Sequence, residues 1–270
     1  MLNVTTLIKL AFLAAQRRAQ LLFLLTILAG LISSVLLAPA IEALQDIQLA
    51  LLKTGKNQLS EAEIVEMFSS NLGTFISSYI ALLATVSALL PFWARAVSPL
   101  RLTPWDADTS AYIRRVALSF FHLLTAAGLT LVLLTLLLIL LGAIGAILGG
   151  FNSFLVIIVM AAVLWASLFF SAVANIAIIA ASTDRRLPFA AALLRARFFV
   201  RPIIGTLALL LFLSFLAENI LTALAQNMAD VINTTMLTAF IHGAAAFLTT
   251  AFHISVLQNI PGISPREPDL

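Results

Sequence analysis

Six stretches of this chain are apolar over about 20 residues apiece, the length a helix needs to cross a ~30 Å hydrocarbon layer. They run from Leu21 to Ala38, Phe75 to Trp93, Val116 to Leu148, Phe154 to Ala181, Ile203 to Ala225 and Thr234 to about Leu257. Only one of them holds a charged residue, Glu218. Backbone groups find no water in hydrocarbon, so such segments must bond internally as helices. The expected fold is therefore all-α: a polytopic transmembrane bundle of about six spans. The Val116 to Leu148 run would extend ~50 Å as a straight helix, so it must tilt, kink or begin as an interfacial helix.

Charged residues make up 10% of the chain and the mean hydropathy is +1.10, against roughly 25% charged in soluble domains. Residues 1–270 are read as a single integral membrane domain, with a basic arm at 1–20, an outside insertion at 41–70 and a tail at 261–270. No stretch is left for a soluble catalytic domain. There is no cysteine, which excludes disulfides, thiolate metal sites and thiol nucleophiles.

The net charge of +3 is explained by where the cations sit rather than by a nucleic-acid partner. Of the 15 Lys and Arg, all but Lys53 and Lys56 fall in the N-terminal arm, the second-to-third connection, the fourth-to-fifth connection or the tail. These are alternate connections, so the positive-inside rule places them, and both termini, in the cytoplasm. The opposite side carries Glu42, Asp46, Glu61, Glu63, Glu66 and Asp230. An asymmetry this complete also supports the count of six, because a miscount by one would mix the two sides. Ala38-Pro39-Ala40 looks like a small-residue signal-cleavage site, but the arm before it and the apolar run are both longer than a usual signal peptide has.

Between the first two spans, Ile41, Leu44, Ile47, Leu51 and Leu52 fall on one helical face, which predicts an amphipathic helix on the membrane or capping the bundle. Ser60 and Glu63 have capping-box spacing for a helix leading into the second span. Gly149-Gly150-Phe151-Asn152 is the one break between the third and fourth runs and predicts a tight hairpin. Gly142, Gly145 and Gly149 have the small-residue spacing that permits close helix contact. Each inside basic segment feeds an apolar hairpin, an arrangement compatible with three repeats but also with any six-span chain.

Ionisable and amide groups within spans are the usual pointers to function in a membrane. His122 lies in the third, Asn175 in the fourth beyond Ser167 and Ser171, Glu218 in the fifth, and His242 and His253 in the sixth. On one reading Asn175, Glu218, His242 and His253 line a proton or cation path. On the other, Glu218 sits near the headgroups and the remainder hydrogen-bond to neighbouring helices. The latter is favoured, because no acid lies at mid-membrane and no Gly-Pro broken helix surrounds them. Asp106 and Asp108 are read as a helix cap ahead of the third span rather than a metal pair. No metalloprotease, nucleophile-elbow or phosphate-loop motif occurs, so no catalytic residue, metal ligand or cofactor is assigned and the chain is not expected to be an enzyme.

The connection from Thr183 to Arg201 is the most suggestive. Asp184 and Pro188 open a short helix, and Arg195, Arg197 and Arg201 cluster near its end, where they suit anionic lipid headgroups. In Asp184-Arg185-Arg186-Leu187-Pro188-Phe189-Ala190-Ala191-Ala192-Leu193-Leu194-Arg195 the chain resembles uncharacterised bacterial six-helix inner-membrane proteins. These include the YciC-like family and the membrane domain associated with glycerophosphoryl diester phosphodiesterases. The resemblance implies a fold and an inner-membrane location and carries over no catalytic residue. The functional expectation is a membrane scaffold or lipid-contacting envelope component, with membrane lipids and a second copy or another membrane protein as partners. The alternative is a small transporter or channel subunit.

Overall fold

Apolar length translates directly into helix length. The computed structural model describes residues 4–54, 61–100, 102–104, 108–148, 153–185, 187–226, 233–260 and 263. Among these residues it is helical throughout with no strand: α1 Val4–Arg17, α2 Ala19–Leu36, α3 Ala38–Thr54, α4 Glu61–Ala96, α5 Thr109–Leu148, α6 Ser153–Ser182, α7 Phe189–Ala196, a 3-10 turn at Arg197–Phe199, α8 Val200–Gln226 and α9 Thr234–Leu257. Among the described residues six segments are long and apolar enough to cross a membrane: Ala19–Leu36, Val65–Ala96, Thr109–Ile144, Leu155–Ser182, Phe189–Leu224 and Thr234–Leu257. This is the architecture of a multi-pass integral membrane protein.

The long third run neither breaks nor turns along its described length; α5 is a 40-residue helix. Its first turn is capped by Asp108, whose Oδ1 accepts from the Ser110 amide at 2.9 Å and the Ser110 hydroxyl at 2.7 Å. The Ser110 hydroxyl first, then the Ala111 and Ser110 amides, hold the Asp108 carboxyl below its ordinary range. The predicted cap is therefore present at Asp108, while Asp106 lies outside the described residues, as do Ser60 of the capping box and the turn at 149–152.

The chain forms two compact units. One comprises Met1–Ala19, Leu90–Phe212 and Thr249–Leu270. In it α1 buries Leu7, Ala11 and Ala15, one residue per turn along a single face, so the N-terminal arm is a packed helix. The core is built on Trp93, Ile176, Ile179, Ile203, Ile254 and Leu257. Polar side chains inside it are mostly paired: the Trp93 indole donates to the Ala251 carbonyl at 2.7 Å and the Ser255 hydroxyl at 3.1 Å. The Gln258 amide donates to the Ala94 carbonyl at 2.8 Å. Bonds of this kind inside an apolar medium fix rotation as well as proximity.

The other unit comprises Gln20–Leu89 and Leu213–Leu248. Here α2 and α9 approach closely at two glycines: Gly30 lies under the Phe240 ring and Gly243 against Ser33 and the Ala29 carbonyl, leaving no room for a methyl at either. The Ser78 hydroxyl donates to the Leu36 carbonyl at 3.1 Å, and the Thr235 hydroxyl to Gln45 Oε1 at 3.3 Å. The described part of the insertion is helical as expected, but its buried side is only in part the predicted one. Ala43 and Ile47 are buried whereas Leu44 is exposed, because the small Ala43 allows a closer approach than the larger leucine. The glycine spacing in α5 does not mark a helix contact at Gly142 either, since a methyl there would meet nothing; the same holds for Gly128 and for Gly73 of α4.

Candidate functional site

The end of α6 fixes the site. Ser182 and Thr183 turn their hydroxyls back onto the Ile178 and Ala180 carbonyls, and the helix then stops at Asp184, whose φ is 60°. The Arg185 amide bonds the Ala180 carbonyl at 2.9 Å and the Asp184 amide the Ala181 carbonyl at 3.1 Å. This pair of bonds around one left-handed residue is the Schellman helix stop, a position that glycine or asparagine usually fills. An aspartate there is doubly unfavourable: its Cβ opposes the backbone conformation and its charge faces the negative end of the helix dipole.

Three arginines offset that cost. From α5, Arg115 clamps the Asp184 carboxylate with Nε to Oδ1 at 3.1 Å and Nη2 to Oδ2 at 2.6 Å, and Arg114 Nη2 reaches Oδ1 at 3.0 Å. From the end of α4, Arg95 Nη1 lies 3.9 Å from Oδ2. The same guanidinium donates to the Thr103 and Ser182 carbonyls at 2.9 and 3.2 Å, closing the last turn of α6. Arg115 is only 3% exposed, and a guanidinium so buried needs a paired anion. Partial burial alone would raise the Asp184 carboxyl, but the Arg115 and Arg114 hydrogen bonds and charges outweigh it and hold the carboxyl below its ordinary range.

Two cavities flank the cluster. A small one of about 150 Å³ lies between α4 and α5, lined by Pro91, Phe92, Arg95, Pro104, Tyr112 and Arg115 among others; the Phe92 and Tyr112 rings meet there at 4.7 Å, tilted by 33°. A larger groove of about 360 Å³ runs between α5 and the α6–α7 connection, with Arg114, Leu118 and His122 on one side and Ala181, Arg185, Leu187 and Pro188 on the other. The His122 ring faces Phe189 of α7 at 6.4 Å.

The four residues of the suggested transport path separate into two pairs, one in each unit. Asn175 Nδ2 lies 2.9 Å from His253 Nδ1, and both residues are buried. Glu218 Oε2 lies 3.8 Å from His242 Nε2 in the other unit, and the Ser214 hydroxyl bonds Glu218 at 3.2 Å. His242 and His253 share a face of α9 as spacing predicts, yet about three turns separate them, and their surroundings differ: His253 is enclosed whereas His242 is half exposed. Of the predicted headgroup contacts, Arg195 closes α7, Arg197 opens the 3-10 turn, and Arg201 lies in the first turn of α8, all three exposed. Arg197 also lies over the Phe198 ring at 4.7 Å.

Sequence reasoning counted Arg95, Arg114 and Arg115 only as inside charges and Asp184 only as a helix start. The signal available was an acid at the end of an apolar span whose neighbouring connection carries adjacent arginines. Among the described residues no group of three or more His, Asp or Glu is placed to hold a metal ion. No protein-family model, curated protein or solved structure matches this chain.

Proposed function

We propose that the chain is a multi-pass protein of a bacterial-type inner membrane, with both termini cytoplasmic, that serves as a lipid-contacting scaffold and not as an enzyme. The observation that carries this reading is α7 and the turn after it. Ala192 and Ala196 are buried, while Leu194 and Phe198 are 55% and 71% exposed beside Arg195, Arg197 and Arg201. Bulky apolar side chains interleaved with arginines suit the headgroup boundary, where the rings and aliphatic stems lie toward hydrocarbon and the guanidiniums toward phosphate. Each arginine near an anionic surface contributes about 1 kcal/mol. The test is the thermal unfolding of the full chain in nanodiscs with and without an anionic lipid. The wild type gains stability from the anionic lipid, and R195Q/R197Q/R201Q loses most of that gain; an undiminished gain in the triple variant overturns the reading.

A transporter or channel subunit is the second reading, and the Glu218–His242 pair favours it, since ionisable pairs in apolar spans commonly mark a pathway. Against it, Asn175 and His253 are 2% and 0% exposed, which leaves no wetted path at that pair. Loss of a measurable flux in liposomes on Glu218→Gln would replace the scaffold reading with this one.

A further inference from the structure

We propose that the hairpin of α5 and α6 is matched to a thicker hydrocarbon layer than an ordinary bilayer offers, so that lipids with long acyl chains solvate and stabilise this chain best. The proposal deepens the lipid-contact reading by naming the class of lipid; it rests on the multi-pass architecture of that reading and not on its α7 arginines.

Polarity fixes both ends of the hairpin. At one end Arg114, Arg115 and Asp184 form their ion-paired cluster, with Arg114 and Asp184 both in contact with solvent. At the other end the first polar side chains are Asn152 and Ser153, at the turn. Between these ends, α5 beyond Leu131 carries only Thr135, whose hydroxyl is bonded back to the Leu131 carbonyl at 2.9 Å. From Phe154 to Ala166, α6 carries only the Trp165 indole. At ~1.5 Å per residue, Arg115 to Leu148 spans ~50 Å and Ser153 to Ser182 ~44 Å.

An ordinary hydrocarbon layer of ~30 Å does not cover that length, since spanning helices tilt by up to ~40° and these two would need roughly 47–53°. In such a layer α6 would leave the hydrocarbon near Trp165, ~26 Å from Ser182. Val156, Ile157, Ile158 and Met160, all exposed, would then stand in water beyond it. What covers the excess follows from its distribution. On α5 the exposed side chains Leu131, Val132, Leu136, Ile139 and Leu140 sweep about half of the helix circumference at ~100° per residue, and the remainder turns to α6. A second copy of the chain would cover one stripe and leave the rest in water, whereas acyl chains wet every exposed face at once. Mismatch is otherwise relieved by tilt, local thickening of the bilayer or clustering of spans, at a cost that grows with each ångström, so long-chain lipid is the best-matched surrounding.

The test uses the full chain in phosphatidylcholine vesicles with monounsaturated acyl chains of roughly 14, 18 or 22 carbons. It is read by thermal unfolding and by energy transfer between copies labelled at the N-terminus with donor or acceptor. The midpoint is expected to rise by several degrees across the series, and energy transfer to fall as copies disperse. Deleting 138–144 and 156–162 together shortens each helix by about two turns, or ~10 Å, and keeps its faces nearly in register; this variant should be most stable at shorter chains than the wild type. Should it fail to fold, Ile139→Lys/Ile157→Lys takes its place: a cation on each helix is tolerated in water and costly in hydrocarbon, so the rise with chain length should be abolished. These vesicles carry no net headgroup charge, so R195Q/R197Q/R201Q should keep the wild-type dependence even where it loses stabilisation by anionic nanodiscs, and the α7 reading and the hairpin can fail separately. A midpoint indifferent to chain length, a wild-type optimum in the shortened variant, an undiminished rise in the lysine variant, or energy transfer equally high at every chain length, which would mark a second copy as the cover, each overturns the proposal.

Discussion

Replacing Asp184 probes the joint on which the α4, α5 and α6 ends converge, and the structure sets both size and order of the effects. In Asp184→Asn the left-handed backbone is kept, since asparagine adopts it as readily as aspartate, and one oxygen remains for Arg115. What is lost is the charge facing three guanidiniums, of which Arg115 is almost fully buried. Breaking a buried ion pair costs roughly 3–5 kcal/mol. Asp184 itself is 42% exposed, so solvent screening reduces the loss to about 2 kcal/mol. For a chain of this size that is a fall in the unfolding midpoint of roughly 4–8 °C.

Asp184→Gly removes every acceptor but relieves the backbone, whereas Asp184→Ala removes every acceptor and keeps the unfavourable φ of 60°, so alanine must be worse than glycine by about 1 kcal/mol. Because the folded carboxyl lies below its ordinary range, its contribution is complete above the unfolded aspartate value of about 3.9 and disappears as pH falls through the lower folded value. The gap between wild type and Asp184→Asn should accordingly be full at neutral pH and close on strong acidification. The assay is thermal unfolding in detergent across a pH series. An Asp184→Asn midpoint within about 1 °C of wild type, or an alanine variant as stable as the glycine one, refutes the reasoning.

Other substitutions test the packing. Asn175→Leu leaves the buried His253 ring without its 2.9 Å partner and should cost about 1–3 kcal/mol, while adding His253→Leu should recover much of it, because two apolar side chains leave no orphaned polar group; a double variant no better than the single one counts against the pairing. Gly243→Ala drives a methyl into Ser33 and should destabilise by about 1–3 kcal/mol, with Ser33→Gly restoring most of the loss, as unfolding midpoints would show. Asp108→Ala removes the acceptor for the Ser110 and Ala111 amides and should lower the unfolding midpoint, with Asp108→Asn, which keeps a capping oxygen, restoring most of it, read from the same melts.

The helical spans were legible because hydrocarbon imposes one requirement, internal backbone bonding over a fixed length, that any run of Leu, Ile, Val and Ala displays. The Asp108 cap was legible for a similar reason, being a bond between residues two and three apart. The Arg115–Asp184 clamp was not, because residues 69 apart meet only when the ends of α5 and α6 come together, and because an aspartate in a left-handed helix stop runs against the residue preferences that sequence reading uses. Helical spacing found the shared face of His242 and His253 but not their depth, since angle around a helix says nothing about what covers each turn. For α3 the spacing found the buried Ile47 but also pointed to Leu44, which is exposed: pattern weights side-chain size, whereas close approach to a neighbour favours the small Ala43.

The open surroundings of Gly73, Gly128 and Gly142 bear on how this protein is best handled. In a helix interior a glycine costs about 1 kcal/mol relative to alanine, and at these positions no neighbouring atom forbids the added methyl. The sites are far apart in sequence or along one helix, so their effects should be close to additive. The molecule thus carries an unclaimed margin of stability on its outer surface, and alanine at all three is the simplest route to a hardier sample in which the arginine cluster and the groove are left as they are.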